Sequence, residues 1–131
     1  MQTRVIRDID GIGLSEDDWT RLASASQTNT IFQTYRWFRT WWSVFGSAYR
    51  LFFITVTDGD RIIGFAPLMI GQDAGNGRTL RFIGDSHADY MDFILAEQKE
   101  TVLPAIIRTI YAHEHEWDSF YLHNIPARSL T

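Results

Sequence analysis

Cysteine is absent from this chain of 131 residues. Its absence excludes a disulfide framework, a thiolate zinc site and a cysteine nucleophile. A chain of this composition suits a reducing compartment, so we expect a cytoplasmic protein.

Long apolar runs and an excess of positive charge are missing as well. The longest apolar run, IIGFAPLMIG, is too short to span a bilayer and contains Pro67, and the N-terminal MQTRVIRDIDGIG lacks the apolar core of a signal peptide. Twelve Lys and Arg stand against 16 Asp and Glu, a net charge of −4, which gives no broad field for nucleic acid or an anionic membrane. We therefore expect a soluble protein with no membrane span and no nucleic-acid partner.

Apolar and aromatic residues, in contrast, are plentiful. They make up 45% and 15% of the chain, enough to build a hydrophobic core. No repeat, low-complexity tract or interdomain linker divides the sequence. The chain is predicted to form a single domain over residues 1–131.

The densest aromatic segment is IFQTYRWFRTWWSVFG, residues 31–46. It is either a binding platform or part of the core. Thr34 is a suitable N-cap and Gly46 a suitable residue just after a helix. Four aromatic side chains between them follow the i, i+3, i+4, i+7 spacing: Phe38, Trp41, Trp42 and Phe45. The spacing favours an amphipathic helix whose aromatic stripe is buried.

Periodicity and turn signals predict the remaining elements. Ser15 with Asp18 begins a helix, and Asp58-Gly59-Asp60 is the turn of a β-hairpin whose second strand bulges at Pro67 or presents it to an unpaired side. Strands are predicted at 3–9, 50–57, 61–71, 78–84, 90–96 and 117–125, and further helices at 16–25 and 98–115.

The last helix carries Leu103, Ile106, Ile107, Ile110 and Tyr111 on one face. Pro104 is tolerated only in a first turn, which moves the predicted start of this helix toward Val102. The element order is β-α-α-β-β-β-β-α-β, an α/β (α+β) mixed sheet with helices packed on it.

Several sequence blocks occur in a recognisable order: FQTYRW leading into WWSVFG, then GFAPLMI, RFIGDSHADYMDFIL and WDSFYLHNIP. The positions that carry the pattern are Gln33, Trp37, Trp41, Trp42, Gly46, Gly64, Pro67, Leu68, Gly84, Asp89, Tyr90 and Asp92. Along nearly its whole length the chain thereby resembles the CelD-like and FemAB-like branch of the GNAT acyltransferase superfamily. One departure is Tyr35, where relatives often place proline.

The resemblance implies the first copy of a duplicated GNAT fold, incomplete at its C-terminus, because a full unit adds a helix and two strands. It implies part of an enzyme that transfers an acyl group from acyl-CoA to an amine or hydroxyl, with a weak link to polysaccharide or cell-envelope biosynthesis. This piece would supply scaffold and part of the acceptor groove, and would be inactive alone. The expected partners are a second GNAT-like domain on the same chain or a homo-oligomer partner, and a small-molecule, glycan or amine acceptor.

The donor site of such an enzyme is a glycine-rich turn at a helix N-terminus, where backbone amides bind the pyrophosphate of CoA. The corresponding segment here, LAEQKETVLPA, has no glycine, and Glu97 and Glu100 would repel phosphate. We therefore assign no cofactor-binding residue to this chain and expect acyl-CoA to bind elsewhere in the full enzyme.

The segment GDSHADYMD contains the candidates for a catalytic base. If this segment is extended, Asp85, His87 and Asp89 share one face, while Tyr90 and Asp92 share the other. These side chains could act as a base, as a clamp for the acceptor amine or as a weak metal site. The alternative is a loop whose aspartates form turns and cap local backbone.

The resemblance adds candidate substrate contacts at the start of the aromatic helix, which borders the acceptor groove in relatives: Gln33, Tyr35 and Trp37, with Tyr90 and Asp92. HEHE, residues 113–116, suggests a metal site, but His113 and His115 are two positions apart and point to different sides of a helix, so a solvated helix end is favoured. The rival to an acyltransferase is a non-catalytic structural or protein-interaction domain with a GNAT-like sheet.

Overall fold

The computed structural model describes residues 1–26, 30–73, 75, 77–123, 125–126 and 129. Within these residues the chain forms one mixed sheet of six strands and three α-helices. In chain order the elements are β1 Gln2–Ile6, α1 Glu16–Ala25, α2 Tyr35–Phe45, β2 Arg50–Asp58, β3 Arg61–Asp73, β4 Gly77–Phe82, β5 Ile94–Leu95, α3 Lys99–Ala112 and β6 Ser119–Phe120. The prediction of a mixed α/β sheet with helices packed on it is confirmed.

The strands lie in the order β1-β2-β3-β4-β6. Neighbouring strands are antiparallel except for β4 and β6, which are parallel and are separated in the chain by β5 and α3. Strands β4 and β5 pair with the same edge of β3. β5 pairs near the beginning of β3, at Gly64 and Phe65, and β4 pairs with its second half, from Leu68 onward. The long strand β3 therefore has two different neighbours along one edge.

Pro67 lies at the junction between these two neighbours. Its carbonyl accepts a hydrogen bond from the amide of Ile83 at 2.8 Å, just beyond Leu68, where the pairing with β4 ends. Because the N and C=O of a strand residue face the same side, the nitrogen that cannot donate points to the junction of β4 and β5. The bulge of this hairpin lies elsewhere, at Val56 and Thr57. The predicted bulge at Pro67 therefore does not occur, and on this side Pro67 belongs to neither the β4 nor the β5 ladder.

Apolar residues fill both faces of the sheet. On one face α3 packs on a cluster that includes Phe52, Ile54, Leu68, Leu80, Phe82 and Phe93. On the other face α1 and α2 pack on a cluster that includes Phe53, Phe65, Met69, Ile83 and Ile94. Strands buried on both faces read as continuous apolar runs, as in LFFITV and IIGFAPLMI.

Helix α1 has the predicted bounds. Ser15 is its N-cap, and the Ser15 hydroxyl accepts a hydrogen bond from the amide of Asp18 at 3.1 Å. Trp19 is buried, stacks on Phe38 with ring centroids 4.8 Å apart, and donates its indole N–H to the carbonyl of Gln33 at 2.7 Å. This buried tryptophan joins α1 to α2 and to the turn before α2.

Helix α2 begins as predicted, since Thr34 accepts a hydrogen bond from the amide of Trp37 at 3.3 Å. Phe38 and Trp41 are buried, but Trp42 is half-buried and Phe45 is 43% exposed. The prediction that the whole aromatic stripe is buried is therefore wrong for the last turn, where Phe45 packs on an exposed histidine of another segment and not on the sheet.

Gly46 directly follows α2, as predicted, and its backbone is in the right-handed helical region. Its φ is −65°, and a short 3₁₀ turn, Gly46–Ala48, continues from the helix. Glycine is needed here for space, because a Cβ would lie 2.5 Å from Cδ2 of the Trp42 ring.

Helix α3 begins at Lys99, so the start near Val102 predicted from Pro104 is wrong. Pro104 is inside the helix on its exposed side. Pro104 has no N–H to donate to the carbonyl of Glu100, four residues earlier in the helix. Because Glu100 is exposed, water can solvate this carbonyl, and proline is tolerated here. The helix also ends earlier than predicted, at Ala112.

The buried face of α3 is rotated from the predicted one. Ile106 and Ile110 are buried as expected, but Tyr111 is 51% exposed and the predicted Leu103 and Ile107 are only half-buried. The remaining buried positions are Val102, Ala105 and Thr109. None of the described helices combines the length and apolar composition that crossing a lipid bilayer requires.

Three predicted strands are much too long, and the strand predicted at 78–84 ends two residues earlier, at Phe82. The strand predicted at 3–9 ends at Ile6, because Asp8 caps a 3₁₀ turn by accepting a hydrogen bond from the amide of Asp10 at 3.1 Å. The strand predicted at 90–96 is reduced to β5, and the one predicted at 117–125 to β6. Asn124, within the last prediction, lies outside the described residues.

An ion-pair cluster fastens the chain segment after α3 to the sheet. Glu116, with its side chain 12% exposed, accepts hydrogen bonds from Arg7 Nη2 at 2.6 Å and from Arg50 Nη2 at 3.3 Å. The hydrogen bond from Arg7 lowers the pKa of Glu116 below its ordinary 4.5 and outweighs burial, which raises it. A carboxyl group with a lowered pKa stabilises the fold above its ordinary pKa, and this contribution is lost as pH falls through the lower, folded value.

Glu116→Gln is therefore expected to lower the free energy of unfolding by about 1 kcal/mol at neutral pH, a modest value because Arg7 remains half exposed to water. The difference from the parent should vanish at a pH well below 4.5. Urea denaturation across this pH range measures it. Glu114→Gln, at an exposed neighbouring position, is the control. Equal effects of the two variants would show that the cluster contributes nothing.

Candidate functional site

The segment from Gly84 to Phe93 connects β4 to β5 and lies against the aromatic helix α2. Gly84 has a left-handed backbone, with φ of 78°, and a 3₁₀ turn, Asp85–His87, follows it. Of the two alternatives for this segment, the extended conformation is wrong and the turn-forming loop is confirmed. The turn directs Asp85 into the interior, where it is 2% exposed, and leaves His87 and Asp89 on the surface. The three predicted residues do not share one face.

His87 is held on α2 by two aromatic side chains. The indole Nε1 of Trp41 donates a hydrogen bond to His87 Nδ1 at 3.0 Å, and the Phe45 ring stacks on the imidazole with centroids 4.8 Å apart. Because an indole N–H can only donate, Nδ1 must accept, and the neutral ring carries its proton on Nε2. His87 therefore offers a hydrogen-bond donor at Nε2 and, in this arrangement, no free basic nitrogen.

Asp85 forms the interior of an ion-pair network. Arg81 Nε lies 3.0 and 2.9 Å from its two carboxylate oxygens, and Arg81 Nη1 lies 3.2 Å from Oδ1 of Asp73. Burial lowers the pKa of Arg81. The hydrogen bond to Asp85 and the charges of Asp85 and Asp73 together outweigh burial, so the pKa of Arg81 is raised. Asp85 is thus an interior anion that anchors the turn, shielded from solvent.

Asp89 and Tyr90 are both exposed, Tyr90 to 51%. Asp92 is buried at 3%, accepts a hydrogen bond from the amide of Phe93 at 2.8 Å and another from the hydroxyl of Ser129. Tyr90 and Asp92 were predicted to share a face, but Tyr90 lies on the surface and Asp92 in the interior. Of these three residues, Asp89 and Tyr90 are accessible to a substrate and Asp92 is not.

The three substrate candidates from the start of α2 have different surroundings. Gln33 is buried, and its side-chain oxygen accepts a backbone hydrogen bond at 3.1 Å that closes the preceding turn. Tyr35 packs edge-on against Trp19 at 5.7 Å. Trp37 covers Gly84, where a Cβ would lie 2.5 Å from Cζ3 of its ring. Of the three, only Trp37 contacts the segment that carries His87.

In relatives the donor site is expected at the helix start that corresponds to the N-terminus of α3. Here, side-chain contacts connect this helix start to the β2–β3 hairpin. Gln98, a non-glycine residue with φ of 49°, precedes the helix and donates from Nε2 to Asp58 at 2.7 Å. Arg61 pairs with Glu97 at 2.7 Å. Glu97 and Glu100 keep two carboxylates at this helix start, an unfavourable arrangement for phosphate.

Two polar residues of β4, Thr79 and Arg81, are not among the predicted site residues. In RTLRF these two polar residues alternate with Leu80 and Phe82, a two-residue period that places them on one face of the strand. Both are shielded, with Thr79 at 3% exposure. This alternation was the available signal, and it indicates a polar face beside the apolar core.

The prediction of a solvated helix end at HEHE holds only in part, because α3 ends before this segment, at Ala112. Glu114 and His115 are exposed, but Glu116 is mostly buried in its ion-pair cluster, and His113 Nδ1 lies 2.9 Å from the carbonyl of Thr109. Among the residues that the structure describes, no three His, Asp or Glu side chains lie close enough together to hold a metal ion. Compared with known proteins, the chain matches no family model, no curated protein and no solved structure. Function must therefore be inferred from its residues and their geometry.

Proposed function

We propose that this chain is part of an acyl-CoA-dependent N- or O-acyltransferase of the GNAT superfamily, in its CelD-like and FemAB-like branch. The chain supplies scaffold and the acceptor side of the groove, and the acyl donor binds outside it, on a second GNAT-like domain of the same polypeptide or on a homo-oligomer partner. We place the enzyme in the cytoplasm, in polysaccharide or cell-envelope biosynthesis, with a small molecule, glycan or amine as acceptor.

The observation that carries the proposal is the contact between Trp41 and His87, two residues 46 positions apart in the sequence. Each belongs to one of the segments in which the resemblance suggests acceptor contacts. The indole hydrogen bond and the stacked Phe45 ring keep the imidazole at the surface in a fixed tautomer. A held donor at the surface is what an acceptor groove needs to orient a hydroxyl or carbonyl group.

The element order supports the same proposal. Two helices separate β1 from β2, an antiparallel run follows, and β6 adds in parallel to β4 after the crossover through α3. The resemblance implies the same order of helices and strands for the first copy of a duplicated GNAT fold, and the pairing of the strands goes beyond it.

Within the groove we assign the proton-accepting role to Asp89. Its carboxylate is exposed and, within the described residues, it is engaged in no hydrogen bond or ion pair, whereas Asp85 is buried against Arg81. An accessible carboxylate can accept the proton that the acceptor group loses as it attacks the thioester. His87, through Nε2–H, orients the acceptor.

Asp89→Asn is expected to lower acyl-transfer turnover of the complete enzyme by about a hundredfold, the usual contribution of a general base. The free energy of unfolding should change by less than about 0.5 kcal/mol, because Asp89 is an exposed residue without partners in the described part of the chain. Steady-state kinetics and urea denaturation of the same preparations measure the two effects.

Asp60→Asn, at the exposed turn of the β2–β3 hairpin, is the matched control and should alter neither quantity. Unfolding of the Asp89 variant would show that the aspartate is structural. Unchanged turnover would remove the assigned base.

A non-catalytic interaction domain is the second candidate, and exposed apolar residues on α2 favour it. Val44 is 63% exposed and Phe45 43% exposed, although both lie on a helix whose other face is buried. If the complete polypeptide transfers no acyl group to any amine or hydroxyl acceptor, this second function replaces the first.

A further inference from the structure

A cavity of about 320 Å³ lies at the edge of the sheet, where β1 has ended and β2 begins. Its lining residues are Arg7, Trp42, Tyr49, Arg50 and Leu51. The last residues paired between β1 and β2 are Ile6 and Phe53, so β1 does not extend alongside Leu51. Trp42 belongs to the last turn of α2, and Tyr49 directly precedes β2. The cavity is therefore enclosed by the end of β1, the end of α2 and the start of β2.

Two arginines of this lining share one carboxylate. Arg7 and Arg50 both donate to Glu116. The contact of Arg50 is 3.3 Å long and is the only hydrogen bond that its side chain makes to a described residue. A guanidinium group has five N–H donors, and the side chain of Arg50 is 60% exposed, so most of its donors are accessible. Two positive charges against one negative charge leave an excess of positive charge.

No carboxylate balances this excess from within the cavity, because its described lining contains neither Asp nor Glu. Asp8 follows Arg7 in the chain, but its carboxylate accepts a hydrogen bond from the amide of Asp10 at 3.1 Å and caps the 3₁₀ turn there. A cation in the cavity would meet two guanidinium groups. An anion with two oxygen atoms matches the fork of N–H donors that a guanidinium group presents.

Two aromatic side chains give the cavity an apolar part. Trp42 and Tyr49 are half-buried, and each ring lies against a glycine. A Cβ at Gly46 would be 2.5 Å from Cδ2 of Trp42. A Cβ at Gly71 would be 2.7 Å from Cε1 of Tyr49. This close packing holds both rings in place, so that together with Leu51 they form a fixed apolar surface next to the arginines.

We infer that this cavity binds a small aromatic carboxylate. The guanidinium group of Arg50 binds the carboxylate, and Arg7 contributes the second positive charge. The ring of the ligand packs against Trp42 and Tyr49. A ligand with one negative charge suits the site, because Glu116 already balances one of the two arginine charges.

This inference goes beyond the proposed acyl transfer and does not depend on it. His87 is held by Trp41 and Phe45, and neither of these residues lines the cavity. The absence of acyl transfer would therefore leave the inference intact, and an empty cavity would leave the proposed acceptor groove intact.

The test is a titration of the ¹⁵N-labelled protein with sodium benzoate at neutral pH, followed by NMR. The indole N–H signal of Trp42 and the amides of Tyr49 and Leu51 should shift and saturate with a dissociation constant in the millimolar range, as expected for so small a ligand. Benzamide has the same shape and no charge, and it should cause no saturable shift. Acetate has the charge and no ring, and it should bind at least about tenfold more weakly. No saturable shift with benzoate, or equal affinity for benzamide or acetate, would overturn the inference.

Arg50→Gln removes the carboxylate partner from the cavity. The dissociation constant for benzoate should rise about tenfold, because a hydrogen-bonded charge is lost. The urea midpoint should change little, since the ion pair of Arg50 is largely exposed on the arginine side. Binding of benzoate by this variant with unaltered affinity would contradict the assignment.

Arg61→Gln is the matched control, because it removes the same charge. Arg61 is the first residue of β3, as Arg50 is of β2, and its side chain is 59% exposed and paired with Glu97 at 2.7 Å. It lies at the opposite end of the β2–β3 hairpin from Arg50. Benzoate binding should be unaltered in this variant. Equal weakening in the two variants would show that the net charge of the protein, and not the cavity, attracts benzoate, and the inference would fail.

Discussion

Replacing Arg81 with methionine is expected to lower the free energy of unfolding by about 3 to 5 kcal/mol, the usual effect of removing one partner from a buried ion pair. Asp85 has a side chain that is 1% exposed, and Arg81 supplies hydrogen bonds to both of its carboxylate oxygens. Methionine fills similar space but leaves the Asp85 charge without its guanidinium. Urea denaturation at neutral pH measures the loss.

Two further variants identify the cause. Arg81→Met combined with Asp85→Asn should recover most of the lost stability, because both charges are then removed from the interior. Arg78→Met, on the same strand, should change stability far less, since Arg78 and its partner Asp118 are both more than 40% exposed. If the double variant is no more stable than the single one, packing by Arg81, and not its charge, holds the turn.

Replacing Gly84 with alanine is expected to lower the free energy of unfolding by about 3 kcal/mol. A left-handed backbone with φ of 78° disfavours any side chain by about 1 kcal/mol. The new Cβ would also lie 2.5 Å from Cζ3 of Trp37 and 3.2 Å from Cδ1 of Trp41, and such overpacking costs about 2 kcal/mol. Displacement of these rings would also move the turn that carries His87.

Gly59→Ala is the matched control for the backbone effect. Gly59 has φ of 64°, and a Cβ there would meet nothing within 4 Å. This variant should lose only the backbone part, about 1 kcal/mol. Equal losses in the two variants, measured by denaturation, would mean that Trp37 moves aside freely and that the turn is not tightly packed on α2.

Predictions from local signals agree best with the structure. The caps of α1 and α2 at Ser15 and Thr34 depend on side chains that bond amides three residues away. The β2–β3 hairpin follows from Asp58-Gly59-Asp60, because Gly59 supplies the positive φ that the turn requires. These features are determined within a few residues and need no distant contact.

Predictions that assumed a conformation for the neighbouring chain fail. Asp85, His87 and Asp89 were placed on one face on the premise of an extended segment, but Gly84 and the 3₁₀ turn separate them. Pro104 was expected in a first turn, yet its position on the exposed side of α3 allows an internal proline. The deciding factors are the backbone conformation at Gly84 and the solvent exposure of Pro104, and residue spacing in the sequence contains neither.

By itself, then, the sequence determined the mixed α/β class, the helix N-caps and the hairpin, because period and capping are local properties of the chain. Only the tertiary structure decided that Trp41 holds His87, that Arg81 neutralises Asp85 and that Arg7 and Arg50 share Glu116. Each of these contacts joins segments whose approach depends on sheet pairing and on the packing of α2. Long-range packing selects one arrangement from the many that the same local signals allow.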